Sequence, residues 1–119
     1  MARERLYECS FLIPLRRDPI LSDGRPHRRK TWTWLDTELL VFGGGTRAPE
    51  PYEGWYRDPQ TGERVTDLSR KYFVAMARSQ LDQLRGILRQ ACDHFHQKCI
   101  YLSVASRVEF IEGGADAPA

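Results

Sequence analysis

Cysteine and histidine are concentrated in one short segment near the end of the chain. Cys92, His94, His96 and Cys99 lie within this segment, and thiolate sulfur and imidazole nitrogen are the ligands that Zn²⁺ prefers. On a helix, however, residues two apart point about 160° away from each other, so the two histidines could not share one metal ion. Cys92 also falls within an apolar stripe, where cysteine acts as a small core residue. The sequence therefore predicts no bound metal and no cofactor.

Positive charge is concentrated between residues 16 and 30. This segment holds six bases and two acids, a local net charge of +4 (6 − 2), whereas the whole chain carries +2. Such a segment is suited to phosphate, an acidic ligand or a nucleic-acid backbone. A solvated charged face is the alternative interpretation. The candidate anion-binding or ligand-binding residues are Arg16, Arg17, Arg25, Arg28, Arg29 and Lys30.

Trp34 follows the basic segment and is a further candidate for ligand binding. Trp32, Leu35, Leu39 and Phe42 recur at spacings of three and four, which predicts one apolar face of a helix. Trp34 does not belong to that stripe, and tryptophan outside a core stripe is typical of contact residues.

A third group of candidates, Trp55, Tyr56 and Asp67, flanks a predicted hairpin. The turn from Asp58 to Gly62 contains proline and glycine at positions that favour a tight reversal of the chain. Four residues that flank the hairpin are considered for catalysis, with His27, His94 or His96 as a base: Asp58, Asp67, Ser69 and Arg70. A nucleophile needs a base within hydrogen-bond reach, and no serine lies at a characteristic spacing from a histidine. We therefore assign no catalytic residue, and the sequence leans against an enzyme without excluding one.

Periodicity predicts the elements that must position these residues. Alternation of apolar residues from Tyr7 to Leu15 predicts a strand with one face on a core. A helix from Arg28 to Phe42 follows and ends at the run of glycines 43–45. A second helix, with Ser79 as its expected N-cap, carries an apolar stripe. We expect four residues of this stripe to pack on Phe11, Ile13 and Val74: Leu84, Leu88, Cys92 and Phe95.

Strand-like runs fill the rest of the chain, at residues 54–57, 63–67, 71–77, 100–104 and 108–111, and residues 46–53 are a predicted loop. The order strand, helix, strand, strand, helix, strand predicts an α+β, ferredoxin-like βαββαβ sandwich, with two helices on one face of an antiparallel sheet. A different α+β meander of the same elements is the alternative.

Length and composition predict a single domain over residues 1–112, followed by a mobile C-terminal tail over residues 113–119. The longest apolar run, Leu39 to Phe42, is far shorter than a membrane span, and the charged N-terminus has no signal-peptide pattern. Three cysteines do not form a closed disulfide framework. These features predict a cytoplasmic protein that has no membrane partner.

Several short motifs resemble a set of small uncharacterised bacterial proteins. These motifs are a helix ending in Phe42-Gly43-Gly44, a hairpin with Gly54-Trp55-Tyr56, and a last strand with Val108-Glu109-Phe110. The resemblance covers roughly residues 6 to 112 and implies a ferredoxin-like fold, with no activity attached. Gly45 departs from the pattern by adding a third glycine.

These observations favour a non-catalytic module that binds a small ligand or a partner. One face of the sheet is not polar, because Leu12 interrupts the polar side of the first strand and residues 72–77 are apolar on both sides. We therefore expect a homodimer that forms through this sheet face.

Two functions are alternatives to the non-catalytic module. One is nucleic-acid or anion binding by the basic segment, and the other is a small enzyme with a cleft of histidine and aspartate.

Overall fold

A computed structural model describes residues 5–113 of the chain. Six strands and two helices are present in this range, with short 3-10 turns at Leu40–Phe42 and Arg78–Gln80. In chain order the elements are β1 (Leu6–Pro14), α1 (Arg29–Leu39), β2 (Thr46–Arg47), β3 (Tyr52–Arg57), β4 (Arg64–Ala77), α2 (Leu81–His94), β5 (Cys99–Val104) and β6 (Arg107–Glu112).

The strands form one antiparallel sheet with the order β2-β4-β1-β5-β6, and β3 pairs with the outer part of β4. The first strand therefore lies in the centre, between the strand that precedes α2 and the strand that follows it. This arrangement is that of a ferredoxin-like α+β fold, as the order of elements predicted. Beyond the four strands of the predicted βαββαβ sandwich, the sheet has the edge strand β6, which matches the predicted run 108–111, and the two-residue β2, which was not predicted.

Three local predictions were wrong. The runs at 63–67 and 71–77 form one continuous strand of 14 residues, because β3 pairs with its first half and β1 with its second half. The predicted loop 46–53 contains β2 and the start of β3. Ser79 does not cap α2, since it lies inside a 3-10 turn in which the Gln80 side chain accepts a hydrogen bond from the Ala77 amide.

Both helices cover the same face of the sheet, and the core lies between them and the strands. The predicted stripe of α2 is buried, as are its predicted partners on β1 and β4. Phe11 and Tyr72, directly opposite in the β1–β4 register, stack with ring centroids 5.1 Å apart. On α1, Leu35 and Leu39 enter the core. Gly43, the first residue of the predicted glycine stop, ends the 3-10 turn that follows α1, with a left-handed φ of 92°.

A bidentate ion pair between Arg85 and Glu109 links the edge strand β6 to α2. Arg85 donates from Nε to Oε1 of Glu109 at 2.7 Å and from Nη2 to Oε2 at 3.1 Å. Since charge-assisted bonds of this geometry fix orientation as well as distance, the pair holds β6 on the core side.

The opposite face of the sheet has no covering element within residues 5–113. Leu12 lies between Lys71 and Tyr101 in the strand register, and Tyr101 lies opposite Phe110. The Tyr101 and Phe110 rings meet edge to face at 5.8 Å, and Phe110 is 63% exposed. We call this surface the open face.

The hairpin of β3 and the first half of β4 extends beyond the end of β1. Pro14, the last residue of β1, pairs with Ser69, and residues 64–68 of β4 continue with β3 as their one strand partner within the described range 5–113. Every residue of β3 is exposed. We call residues 52–68 the hairpin arm.

No helix among residues 5–113 is long and apolar enough to cross a membrane. Of the predicted C-terminal tail, residues 114–119 lie outside the part of the chain that the structure describes.

Candidate functional site

A cleft of about 440 Å³ lies between the hairpin arm and the chain that follows β1. Four of the candidates from the sequence line it, two from the basic segment and two from the hairpin: Arg16, Arg17, Tyr56 and Asp67. Residues that are distant in sequence are therefore brought together here. The other candidates do not line this cleft: Arg25, Arg28, Arg29, Lys30, Trp34 and Trp55.

Hydrogen bonds fix one wall of the cleft, residues 15–25, against the rest of the fold. The Leu15 amide donates to the Leu68 carbonyl at 2.9 Å, and the Asp18 amide donates to the His96 carbonyl at 3.0 Å. Gln97, which is buried, donates from Nε2 to the Arg16 carbonyl at 2.8 Å. This wall is thereby held between the arm and the end of α2.

Within this wall a compact turn presents apolar groups to the cleft. The Asp18 side chain accepts a hydrogen bond from the Ile20 amide at 2.8 Å, and Arg17 forms an ion pair with Asp23 at 2.9 Å. Pro19 and Ile20 line the cleft beside this turn, and Ile20 is 84% exposed at the rim. The cleft therefore combines an apolar rim with charged walls.

Three carboxylates line the cleft, two from the arm and one from the wall of residues 15–25. Asp67 and Asp58 come from the arm, and Asp18 faces them from the other side. Burial raises the pKa of Asp67, the Leu68 amide partly offsets this, and the charge of Asp18 raises it further. Burial also raises the pKa of Tyr56, with additional increases from these three aspartates. Asp67 and Asp18 are therefore near enough for their charges to interact.

No base lies within ion-pair distance of Asp67 among the described residues. Arg17 is already paired with Asp23, whereas Arg16 forms no ion pair in the same part of the chain. A ligand that carries a positive charge and a carboxylate would complement this arrangement, with the cation near Asp67 and the carboxylate near Arg16.

A second cleft of about 430 Å³ adjoins the first and shares Arg16, Thr66 and Asp67 with it. Its remaining walls are Leu15, Pro26 and Leu68, which are apolar. Asp67 thus lines both clefts, which we together call the groove.

Several residues of the cleft were missed by sequence reasoning: Asp18, Ile20 and Gln97. Asp18 and Asp58 each precede a proline in a turn, and this pattern alone indicates only a turn. Their proximity to Asp67 depends on the length of β4, which the sequence did not predict.

His27, a candidate base in the sequence, lies elsewhere. Its Nε2 is 2.8 Å from the Pro14 carbonyl oxygen, and its ring packs against Trp32 and Phe95. Trp34 packs against the edge of the core and stacks on His94, with ring centroids 3.9 Å apart. Among residues 5–113 there is no group of three or more side chains that could hold a metal ion.

Comparison with known proteins gives matches at the level of structure. No protein-family model and no curated protein sequence matches the chain. A phage SAM lyase in complex with S-methyl-5'-thioadenosine has a similar structure, with a TM-score of 0.66 and 11% sequence identity, and the match covers 97% of each chain. A phage SAM lyase in the apo state has a TM-score of 0.62 and 12% identity over 100% of both chains. At these identities the likeness shows the fold.

Proposed function

We propose that this protein binds S-adenosylmethionine in the cleft beside Asp67 and cleaves it, releasing S-methyl-5'-thioadenosine. The observation that carries the proposal is the unpaired, partly buried Asp67 carboxylate, with Asp18 and Asp58 around it, in a fold similar to that of a SAM lyase. The sequence favoured a non-catalytic module. Because both similar structures are of a lyase, the proposal includes catalysis.

The chemistry of the ligand matches the cleft group by group. S-Adenosylmethionine carries a positive sulfonium, an ammonium and a carboxylate at one end, and an adenosine at the other. The aspartates attract the sulfonium and the ammonium, and Arg16 faces the carboxylate. The adenosine occupies the apolar part of the groove, formed by Leu15, Pro26 and Leu68 in one lobe and by Ile20 in the other.

The cleavage needs no second substrate. The bond between sulfur and the four-carbon chain breaks, and its electron pair stays on sulfur, which becomes a neutral thioether. The four-carbon fragment completes its valence by attack of its own carboxylate on the same carbon, or by loss of a proton from the adjacent carbon to water. Arg16 holds the carboxylate and so influences which of the two products forms.

The aspartates contribute more to affinity than to rate. The positive charge on sulfur disappears as the bond breaks, so the carboxylates stabilise the substrate more than the transition state. They also favour the charged substrate over the neutral thioether product.

Turnover is tested by incubating the protein with S-adenosylmethionine and separating the nucleosides by chromatography. We expect S-methyl-5'-thioadenosine to form. With Asp67→Asn, we expect KM to rise by about 10-fold, which corresponds to about 1.4 kcal/mol for a half-exposed charge contact. The matched control is Glu63→Gln, which removes a carboxylate on the same hairpin that does not line the cleft. Absence of the thioether product, or equal effects of the two variants, would contradict the proposal.

We further propose that a second copy of the chain covers the open face, giving a homodimer. Leu12, Tyr101 and Phe110 form one row across three strands, and Val108, 51% exposed, belongs to the next row. A contiguous apolar surface on both copies is self-complementary about a two-fold axis. Sedimentation at micromolar concentration is expected to give twice the chain mass of 13.8 kDa. Phe110→Glu should give the single chain, and a single chain in the unmodified protein would overturn this proposal.

A further inference from the structure

The start of α1 carries positive charges that the fold does not use. Arg28 is the N-cap residue without a side-chain capping bond, Arg29 and Lys30 begin the helix, and the first turn contains no acid. None of these three, nor Arg25, forms an ion pair within residues 5–113. Cations at a helix N-terminus oppose the macrodipole and so destabilise the helix. Stability of the fold alone does not account for them.

An aromatic stack adjoins these charges. Lys30 and Trp34 are four residues apart on α1 and therefore share one face of the helix. Trp34 is partly exposed and stacks on His94, the last residue of α2, with an interplanar angle of 24°. His94 is exposed, so its outer face is open to solvent. Cations and a planar aromatic surface thus lie side by side at one end of the two helices.

We propose that this surface binds single-stranded nucleic acid, with backbone phosphates on Arg28, Arg29 and Lys30 and a base extending the stack of Trp34 and His94. Basic side chains beside aromatic rings are the combination that single strands require, because each nucleotide offers a phosphate and a planar face. In a duplex the base faces are already stacked on one another, so they are not free to stack on His94. An acidic protein offers carboxylates to the basic residues but no base to stack on the rings. Glu38 on α1 and Asp93 on α2 carry the negative charges that adjoin this surface in sequence.

The proposal is independent of the cleft. Arg28, Arg29, Lys30, Trp34 and His94 do not line the groove beside Asp67. We call these five residues the basic surface. Substitutions on it should leave cleavage of S-adenosylmethionine unchanged, and failure of either proposal does not affect the other.

The test is fluorescence anisotropy with a labelled oligothymidylate of about 20 nucleotides, a length that several contacts can span, in about 20 mM to about 300 mM KCl. We expect binding that weakens linearly on a double-logarithmic plot against salt. Lys30→Glu should weaken binding by at least about 10-fold at low salt. The same substitution should raise Tm, since an acid at a helix N-terminus stabilises the helix. The charge-matched control is Arg107→Glu in β6, which should change neither the affinity for the oligothymidylate nor Tm.

His94→Ala tests the stacking contact without disturbing the core, because His94 is exposed. We expect about a 5-fold or greater loss of affinity for the oligothymidylate and no loss for heparin, which has no bases to stack. Absence of salt-dependent binding at about 20 mM KCl would overturn the proposal. Equal losses for Lys30→Glu and Arg107→Glu would overturn it, as would equal effects of His94→Ala on both polyanions.

Discussion

At the scale of single residues, His27 shows how burial sets a dependence on pH. Its Nε2 donates to the Pro14 carbonyl, and its Nδ1 is buried with no hydrogen-bond partner within residues 5–113. Burial lowers the pKa of His27; the bond to Pro14 partly offsets this, and the nearby Arg17 and His96 lower the pKa further. A proton on Nδ1 would place a positive charge between Trp32 and Phe95 with no acceptor, so the folded state favours the neutral ring.

The sign of the effect on stability follows from this shift. The unfolded chain takes up a proton near the ordinary pKa of histidine, about 6.5, whereas the folded chain takes it up only at lower pH. The contribution of His27 to stability is therefore fully present above about pH 6.5 and is lost as the pH falls toward its folded pKa.

We expect the free energy of unfolding to decrease between about pH 7.5 and about pH 5, and His27→Gln to reduce that decrease. Urea denaturation of both proteins at the two pH values measures this decrease in the free energy of unfolding. The same pH dependence in both proteins would mean that other groups cause it.

At the scale of elements, α2 is the helix whose burial the sequence predicted best. Its apolar residues recur at one helical face, and the matching alternation in β1 gives the surface on which they pack. Leu84 and Leu88 are fully buried between the helix and the sheet. Loss of either side chain leaves a cavity that a close-packed core cannot fill.

Leu88→Ala is therefore expected to lower the free energy of unfolding by about 2–5 kcal/mol, measured by urea denaturation. Leu40, which is 65% exposed at the end of α1, provides the matched control, and Leu40→Ala should cost far less. Similar losses for the two variants would mean that burial of the stripe does not govern the stability of the fold.

The same elements show why the sequence predicted the fold better than the site. Periodicity identifies which face of an element is buried, and this was sufficient for β1 and both helices, whereas the fold class was predicted from the order of the elements. It did not reveal that β4 continues through Asp67 and Ser69, because polar residues there resemble a break between two strands. That continuity carries Asp67 past the end of β1 at Pro14 and brings it close to Arg16. Both residues were candidates, but their meeting depends on pairing between distant segments.

At the scale of the whole molecule, the three surfaces lie on different parts of the fold. The groove beside Asp67 lies at the base of the hairpin arm, the open face lies on the side of the sheet away from the helices, and the basic surface lies at the start of α1. A small α+β core thus leaves three separate regions for the proposed ligand, the proposed second copy and the proposed nucleic acid, and each proposal can be tested without disturbing the others.

The central claim is that the cleft recognises a positive charge next to Asp67. Calorimetry with two ligands tests it most directly: S-adenosylhomocysteine, which is neutral at sulfur, and an uncleavable analogue of S-adenosylmethionine with an amine at the sulfonium position. We expect the cationic analogue to bind at least about 10-fold more tightly, and Asp67→Asn to remove most of this preference while Glu63→Gln leaves it intact. Equal affinities for the two ligands in the unmodified protein, or a preference that persists in Asp67→Asn, would contradict the claim.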